Sequence, residues 1–147
     1  PVLRRWLTYE GLLTVRMKSA CGSGFRLQLL ERAPGALVDQ NPSRRVILRC
    51  QEHACVYAES YLPREVLAVL PGLKNLGGDP LGEALQDRPD VARSAFEYAL
   101  IRSPVLPAEI GLPNSPPLWA RRSRFVVEGV SLLVAEVFLP AMEEMTP

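Results

Sequence analysis

A chain of 147 residues, 48% hydrophobic and 22% charged, is too apolar for a disordered segment and long enough to bury roughly two thirds of its unfolded surface, so a single domain over residues 1–147 is expected. Seventeen Lys and Arg against sixteen Asp and Glu leave a formal charge of +1, which excludes the strong field that a nucleic acid or an acidic membrane surface calls for. No run approaches the eighteen or so apolar residues of a membrane span, and the opening PVLRRWLTYEG has no signal-peptide core; the expectation is a cytoplasmic monomer with no nucleic-acid partner and no stable membrane insertion.

Leu3, Trp6, Leu7, Leu12, Leu13 and Met17 recur near helical spacing and are interrupted at Gly11, which predicts two short helices with a turn between them. From Gly24, Phe25, Leu27 and Leu29 alternate with Arg26 and Gln28, the period of a strand, which Pro34 and Gly35 are expected to end. Arg45–Cys50 and Cys55–Leu62 read as a hairpin with the four-residue loop Gln51 to Ala54. Pro63 then opens a helix through Leu70, and a further short helix follows Asp79-Pro80, with Asp79 as its cap.

Residues 95–102 read as a strand. The five prolines between Pro104 and Pro117 remove backbone donors and predict a long loop, the kind that often serves as a lid or binding loop. Arg121–Glu128 and Val130–Leu139 close an antiparallel sheet around Gly129. The sum is an α+β fold with about six strands and several short helices.

Few residues stand out chemically. Cys21, Cys50 and Cys55 are an odd set without zinc-type spacing, so reduced thiols are expected, with neither a disulfide nor a metal site. His53 sits in the predicted hairpin loop outside any metal or triad motif and reads as a surface residue, and the glycines form no nucleotide-binding loop. Arg121, Arg122 and Arg124 read as a solvated strand edge. The last strand, SLLVAEVFLP, is apolar on both faces apart from Ser131 and one carboxylate, Glu136, flanked on its own face by Val134 and Phe138. A carboxylate there must be paired or take up a proton, and such groups concentrate at functional sites. Arg45 and Arg49 share a predicted strand face with Ile47, and an Arg is the side chain suited to bidentate carboxylate recognition.

The run LWARRSRFVVEGVSLLVAEVFLP, Leu118 to Pro140, resembles the chorismate pyruvate-lyase family, and three earlier segments, WLTYEGLLTVR at Trp6, RVILRC at Arg45 and DPLG at Asp79, fall in the same order as in that family. The resemblance implies an antiparallel sheet with helices on one side and a ligand enclosed beneath helical flaps. It further implies a carbon–oxygen lyase that needs no cofactor or metal and converts chorismate to 4-hydroxybenzoate and pyruvate, an early step of ubiquinone biosynthesis.

By position in the motifs, the resemblance implies that Arg45 holds the ring carboxylate with the backbone amides of Leu13 and Leu81. Glu136 then meets the ring oxygen opposite, protonated or sharing a proton. Where the family commonly has a second active-site Arg, the third strand carries Glu59 in YAESYLP, which implies an altered hold on the enolpyruvyl carboxylate. The alternative is a non-catalytic aromatic-acid sensor of the kind found in transcription regulators, which calls for an attached DNA-binding domain.

Overall fold

The computed structural model describes residues 1–30, 44–86 and 88–147; Pro34 and Gly35 lie outside the described residues. The alternating segments form strands β1 (Phe25–Leu29), β2 (Arg44–Cys50), β3 (His53–Tyr61), β4 (Ala92–Arg93), β5 (Glu97–Ile101), β6 (Leu118–Val127) and β7 (Val130–Phe138). The helical segments form α1 (Val2–Leu7), α2 (Leu13–Cys21), α3 (Arg64–Val69) and α4 (Leu81–Leu85). The strands make one antiparallel sheet in the order β1-β2-β3-β7-β6-β4, with β5 also paired to β6. The fold is α+β, as expected, with seven strands; the two-residue β4 is too short to leave a periodic signal.

Register decides which residues share a face. Val46 pairs with Ala58, Ala58 with Glu136, and Glu136 with Arg121. The neighbouring row on the same face is Arg44, Ser60, Val134 and Ser123. The reverse face carries Arg45, Glu59, Ala135 and Arg122 in one row, because strand side chains alternate.

Two helical packs cover the first face and leave a gap between them. Trp6, Leu7, Leu13 and Met17 from α1 and α2 pack on Leu48, Val56 and Phe138, and the Trp6 indole N–H donates to the Met145 carbonyl at 2.5 Å. Val66, Leu70, Leu81 and Leu85 from α3, α4 and their connection pack on Val127 and Leu132. At roughly 1.5–3 kcal/mol per fully buried large apolar side chain, these packs hold short helices that would not persist alone.

Several expectations are corrected. The hairpin between β2 and β3 turns on two residues, Gln51 and Glu52, with φ of 51° and 68°, so His53 is the exposed first residue of β3 and not a loop residue. A turn with positive φ at both central positions matches the strand twist, and the β6–β7 hairpin uses the same device at Glu128 and Gly129. Asp79 does not cap α4; Pro80 holds the cap position without a side-chain bond. The Pro-rich stretch 104–117 is no lid. Its Leu106 and Ile110 pack on Ile47, Tyr57 and Leu118 of the reverse face, and its Glu109 carbonyl accepts from Arg49 Nη2 at 2.9 Å.

The expectation of three reduced thiols is also overturned. Cys21 and Cys50 form a disulfide across 29 residues of sequence, while Cys55 is free and buried. The bond ties the end of α2 to the end of β2. By loop-closure entropy a crosslink of that span contributes about 3–4 kcal/mol, so Cys21→Ser should lower the melting temperature by about 10 °C, read by calorimetry. An unchanged midpoint would mean that the bond does not restrain the unfolded chain.

Candidate active site

The gap between the helical packs is a cavity of about 90 Å³. On a scale where one water takes roughly 10–15 Å³, it accepts several waters or one small ring. The sheet supplies its floor, including Ala58, Ser60, Ser123 and Val134, and the first residues of two helices supply its roof, Leu12 to Thr14 and Pro80 to Gly82. Gly82 lies against Leu12 in the roof: a Cβ on that glycine would meet Leu12 Cδ2 at 3.4 Å, ordinary van der Waals contact. Thr14 Oγ1 and Lys18 Nζ both donate to Glu83 Oε2, at 2.9 and 3.0 Å, which joins α2 to α4 above the cavity.

Glu136 lines the cavity as the sequence suggests, and its partner is a residue that sequence reasoning placed in solvent. Arg121 is 1% exposed at its side chain and Glu136 14%, with Arg121 Nε donating to Glu136 Oε1 at 2.8 Å. Arg121 Nη1 donates to the carbonyls of Leu7 and Tyr9, at 3.1 and 2.7 Å, and the guanidinium lies 4.0 Å over the Phe96 ring. Of the two ways to tolerate an isolated strand carboxylate, pairing or protonation, the fold supplies a pair. The missed signal was alternation: in ARRSR, Ala120 is buried on the reverse face, Arg121 and Ser123 point to the cavity face and are buried, and Arg122 and Arg124 are exposed.

The cation at the other end is Arg44. Its Nη2 donates to the carbonyls of Gly77 and Asp79, at 3.0 and 2.6 Å, pinning the chain that leads into α4. Among the described residues, Arg44 Nε is the buried side-chain polar atom without a hydrogen-bond partner. Burial pulls this guanidinium below the ordinary arginine range, and nearby Asp79 partly offsets that. A buried donor left unmatched costs about 1–3 kcal/mol.

Arg45 is not brought together with Glu136. One residue along the strand reverses the face, so Arg45 stands on the far side of the sheet beside Ile47 and opposite Glu59, with its Nε donating to the Tyr57 hydroxyl at 3.0 Å. Glu59 faces the same way. It is fully buried and accepts from Tyr57 Oη at 2.5 Å and Tyr61 Oη at 2.6 Å. Burial, reinforced by Glu59, pushes both phenols well above the usual tyrosine range. The expectation that Glu59 alters the hold on a substrate carboxylate is therefore corrected: Glu59 lies on the reverse face with Arg45, and its chain neighbour Ser60 is the residue that lines the cavity.

Leu13 and Leu81 both line the cavity. Each is the first residue of its helix, so its N–H has no carbonyl partner within the helix.

The family model and the sequence relatives agree with one another. Residues 1–144 match the family model for chorismate lyase. A probable chorismate pyruvate-lyase of Ralstonia nicotianae is 39% identical, covering 97% of this chain and 84% of its own. One from Cupriavidus metallidurans is 38% identical over 93% and 72%, and one from Methylococcus capsulatus is 34% identical over 95% and 96%. A solved transcriptional regulator of the GntR family from Bacillus cereus superposes with a TM-score of 0.55 over 81% of this chain and 94% of that one. At 13% identity that likeness concerns the fold alone. With the family model matched over nearly the whole length and relatives above one third identity, the chain belongs to the chorismate lyase family.

Proposed function

We propose that the protein is a chorismate pyruvate-lyase that converts chorismate to 4-hydroxybenzoate and pyruvate, the aromatic acid serving as a precursor for ubiquinone. The observation that carries the reading is the pair of opposed groups lining one cavity: a buried, unmatched Arg44 Nε and the Glu136–Arg121 pair. Arg44 takes the ring carboxylate by charge-assisted hydrogen bonding, in the role first expected of Arg45. The Leu13 and Leu81 amides assist it.

At the far end Glu136 keeps Oε1 on Arg121 and offers Oε2 to the ring hydroxyl opposite the carboxylate. In the reaction the ether bond between ring and enolpyruvyl group breaks, and its electron pair leaves with the enolpyruvyl oxygen. The proton on the hydroxyl-bearing ring carbon departs, and its electrons complete the aromatic ring. A proton gained at the enolpyruvyl methylene gives pyruvate. Glu136 is the group placed to hold or move a proton beside that carbon, while fixed dipoles and the two arginines supply positioning and electrostatic stabilisation. The sensor alternative draws nothing from the regulator likeness, which concerns fold only.

The test is stoichiometric. Purified protein dialysed against a chelator should release one pyruvate and one 4-hydroxybenzoate per chorismate. Chorismate left intact by folded protein, or turnover that returns only with added metal, would contradict the reading.

The roof predicts a second result. Adding 4-hydroxybenzoate should slow hydrogen exchange in residues 11–20 and 77–85, the segments that lead into and form α2 and α4, because the ligand orders the helices above it. Equal exchange with and without the acid would mean that the site is open.

A further inference from the structure

The side chains lining the cavity include three guanidiniums, Arg44, Arg93 and Arg121, and one carboxylate, Glu136. That is a surplus of two positive charges, and one aromatic carboxylate balances only half of it. Chorismate is a dianion. Arg121 is spent on Glu136 and two carbonyls, and Arg44 serves the first carboxylate.

Arg93 is left. Its Nη2 donates to the Glu10 carbonyl, a neutral partner, and among the described residues it forms no ion pair. It stands on β4, in register with the cavity residue Phe125, four strand spacings or roughly 19 Å of sheet away from β2. The two arginines therefore enter from opposite flanks. Arg93 lies 4.6 Å over the Phe96 ring, which also packs against Arg121 at 4.0 Å, so Arg93 belongs to the Glu136 end. The chemistry asks for a cation there, because the enolpyruvyl ether sits on the ring carbon next to the one bearing the hydroxyl.

We propose that Arg93 is the second carboxylate anchor of the cavity and binds the enolpyruvyl carboxylate of chorismate. The inference rests on the chorismate reading of the site and extends it to a residue that the product alone does not need. Because 4-hydroxybenzoate lacks the second carboxylate, Arg93 discriminates substrate from product.

The experiment compares two probes by calorimetry, 4-hydroxybenzoate and 3-(carboxymethoxy)-4-hydroxybenzoate, whose ether-linked carboxylate lies beside the hydroxyl. The parent should bind the dicarboxylate at least about tenfold tighter, as a charge-assisted contact implies. Arg93→Gln should erase that advantage and raise the chorismate KM by a similar factor. Its affinity for 4-hydroxybenzoate should stay within about threefold, and Arg93→Lys should recover part of the advantage.

A dicarboxylate advantage retained in Arg93→Gln overturns the proposal. So does a loss of 4-hydroxybenzoate affinity in step with KM, the signature of a mere pin on the Glu10 carbonyl. Should Arg93→Gln fail to fold, the parent alone decides, since no preference for the dicarboxylate overturns it equally. A parent that neither binds 4-hydroxybenzoate nor releases pyruvate instead sinks the chorismate reading itself.

Discussion

Glu136→Gln is expected to lower chorismate turnover by about 10²–10⁴-fold per folded molecule, the usual contribution of a positioned acid–base group, while 4-hydroxybenzoate affinity changes far less. Glutamine keeps the length and one hydrogen-bond acceptor for Arg121 Nε but cannot exchange a proton at the ring. It also leaves the Arg121 guanidinium, 1% exposed, without its counter-charge. Breaking a fully buried pair costs about 3–5 kcal/mol, and less here because Glu136 keeps some solvent contact, so the melting temperature should fall alongside turnover. Glu136→Ala should lose turnover and product affinity together. Turnover near the parent's in folded Glu136→Gln would exclude proton transfer by this side chain.

The second large effect separates two adjacent arginines. Arg44→Ala should weaken 4-hydroxybenzoate binding by two to three orders of magnitude, because a buried carboxylate then loses a charge-assisted partner worth about 3–4 kcal/mol with its desolvation. Arg45→Ala should leave the affinity within a few-fold. Its cost should appear as lost stability, since it strips the Tyr57 hydroxyl of a donor beside the fully buried Glu59. Calorimetry on both variants reads the difference, and the reverse pattern would move the anchor back to Arg45.

That one-residue choice marks the limit of what the sequence carries. Period-two alternation made β1, β2, β3, β6 and β7 legible, and the lone carboxylate in an apolar strand marked Glu136 without any structure. Alternation says that Arg44 and Arg45 face opposite ways; it does not say which face receives the helices. That depends on the packing of Leu13, Leu81 and their neighbours from distant segments. The register shift between Leu48 and Arg49 skips Cys55 on β3 and is silent in the sequence, but it leaves Arg49 on the face of Ile47, where it donates to Gln28 and the Glu109 carbonyl, as its spacing from Arg45 implies.

The position of Arg121 is legible from alternation. Its Arg-rich surroundings suggested water, yet alternation alone put it on the face of Ser123 and opposite to Arg122. The pairing of Cys21 with Cys50 is a contact between helix end and strand end that no local pattern encodes. The stretch 104–117 was recognisable as a loop from its prolines, but its place on the reverse face follows from Leu106 and Ile110 finding the apolar patch around Ile47 and Tyr57, a tertiary fact.

A structure of the protein with 4-hydroxybenzoate bound tests the central claim most directly. The account predicts the acid in the cavity between α2 and α4, its carboxylate on Arg44 Nε and the amides of Leu13 and Leu81, and its hydroxyl on Glu136. An acid bound on the reverse face beside Arg45, or one lying in the cavity with its carboxylate turned toward Arg121, would contradict it.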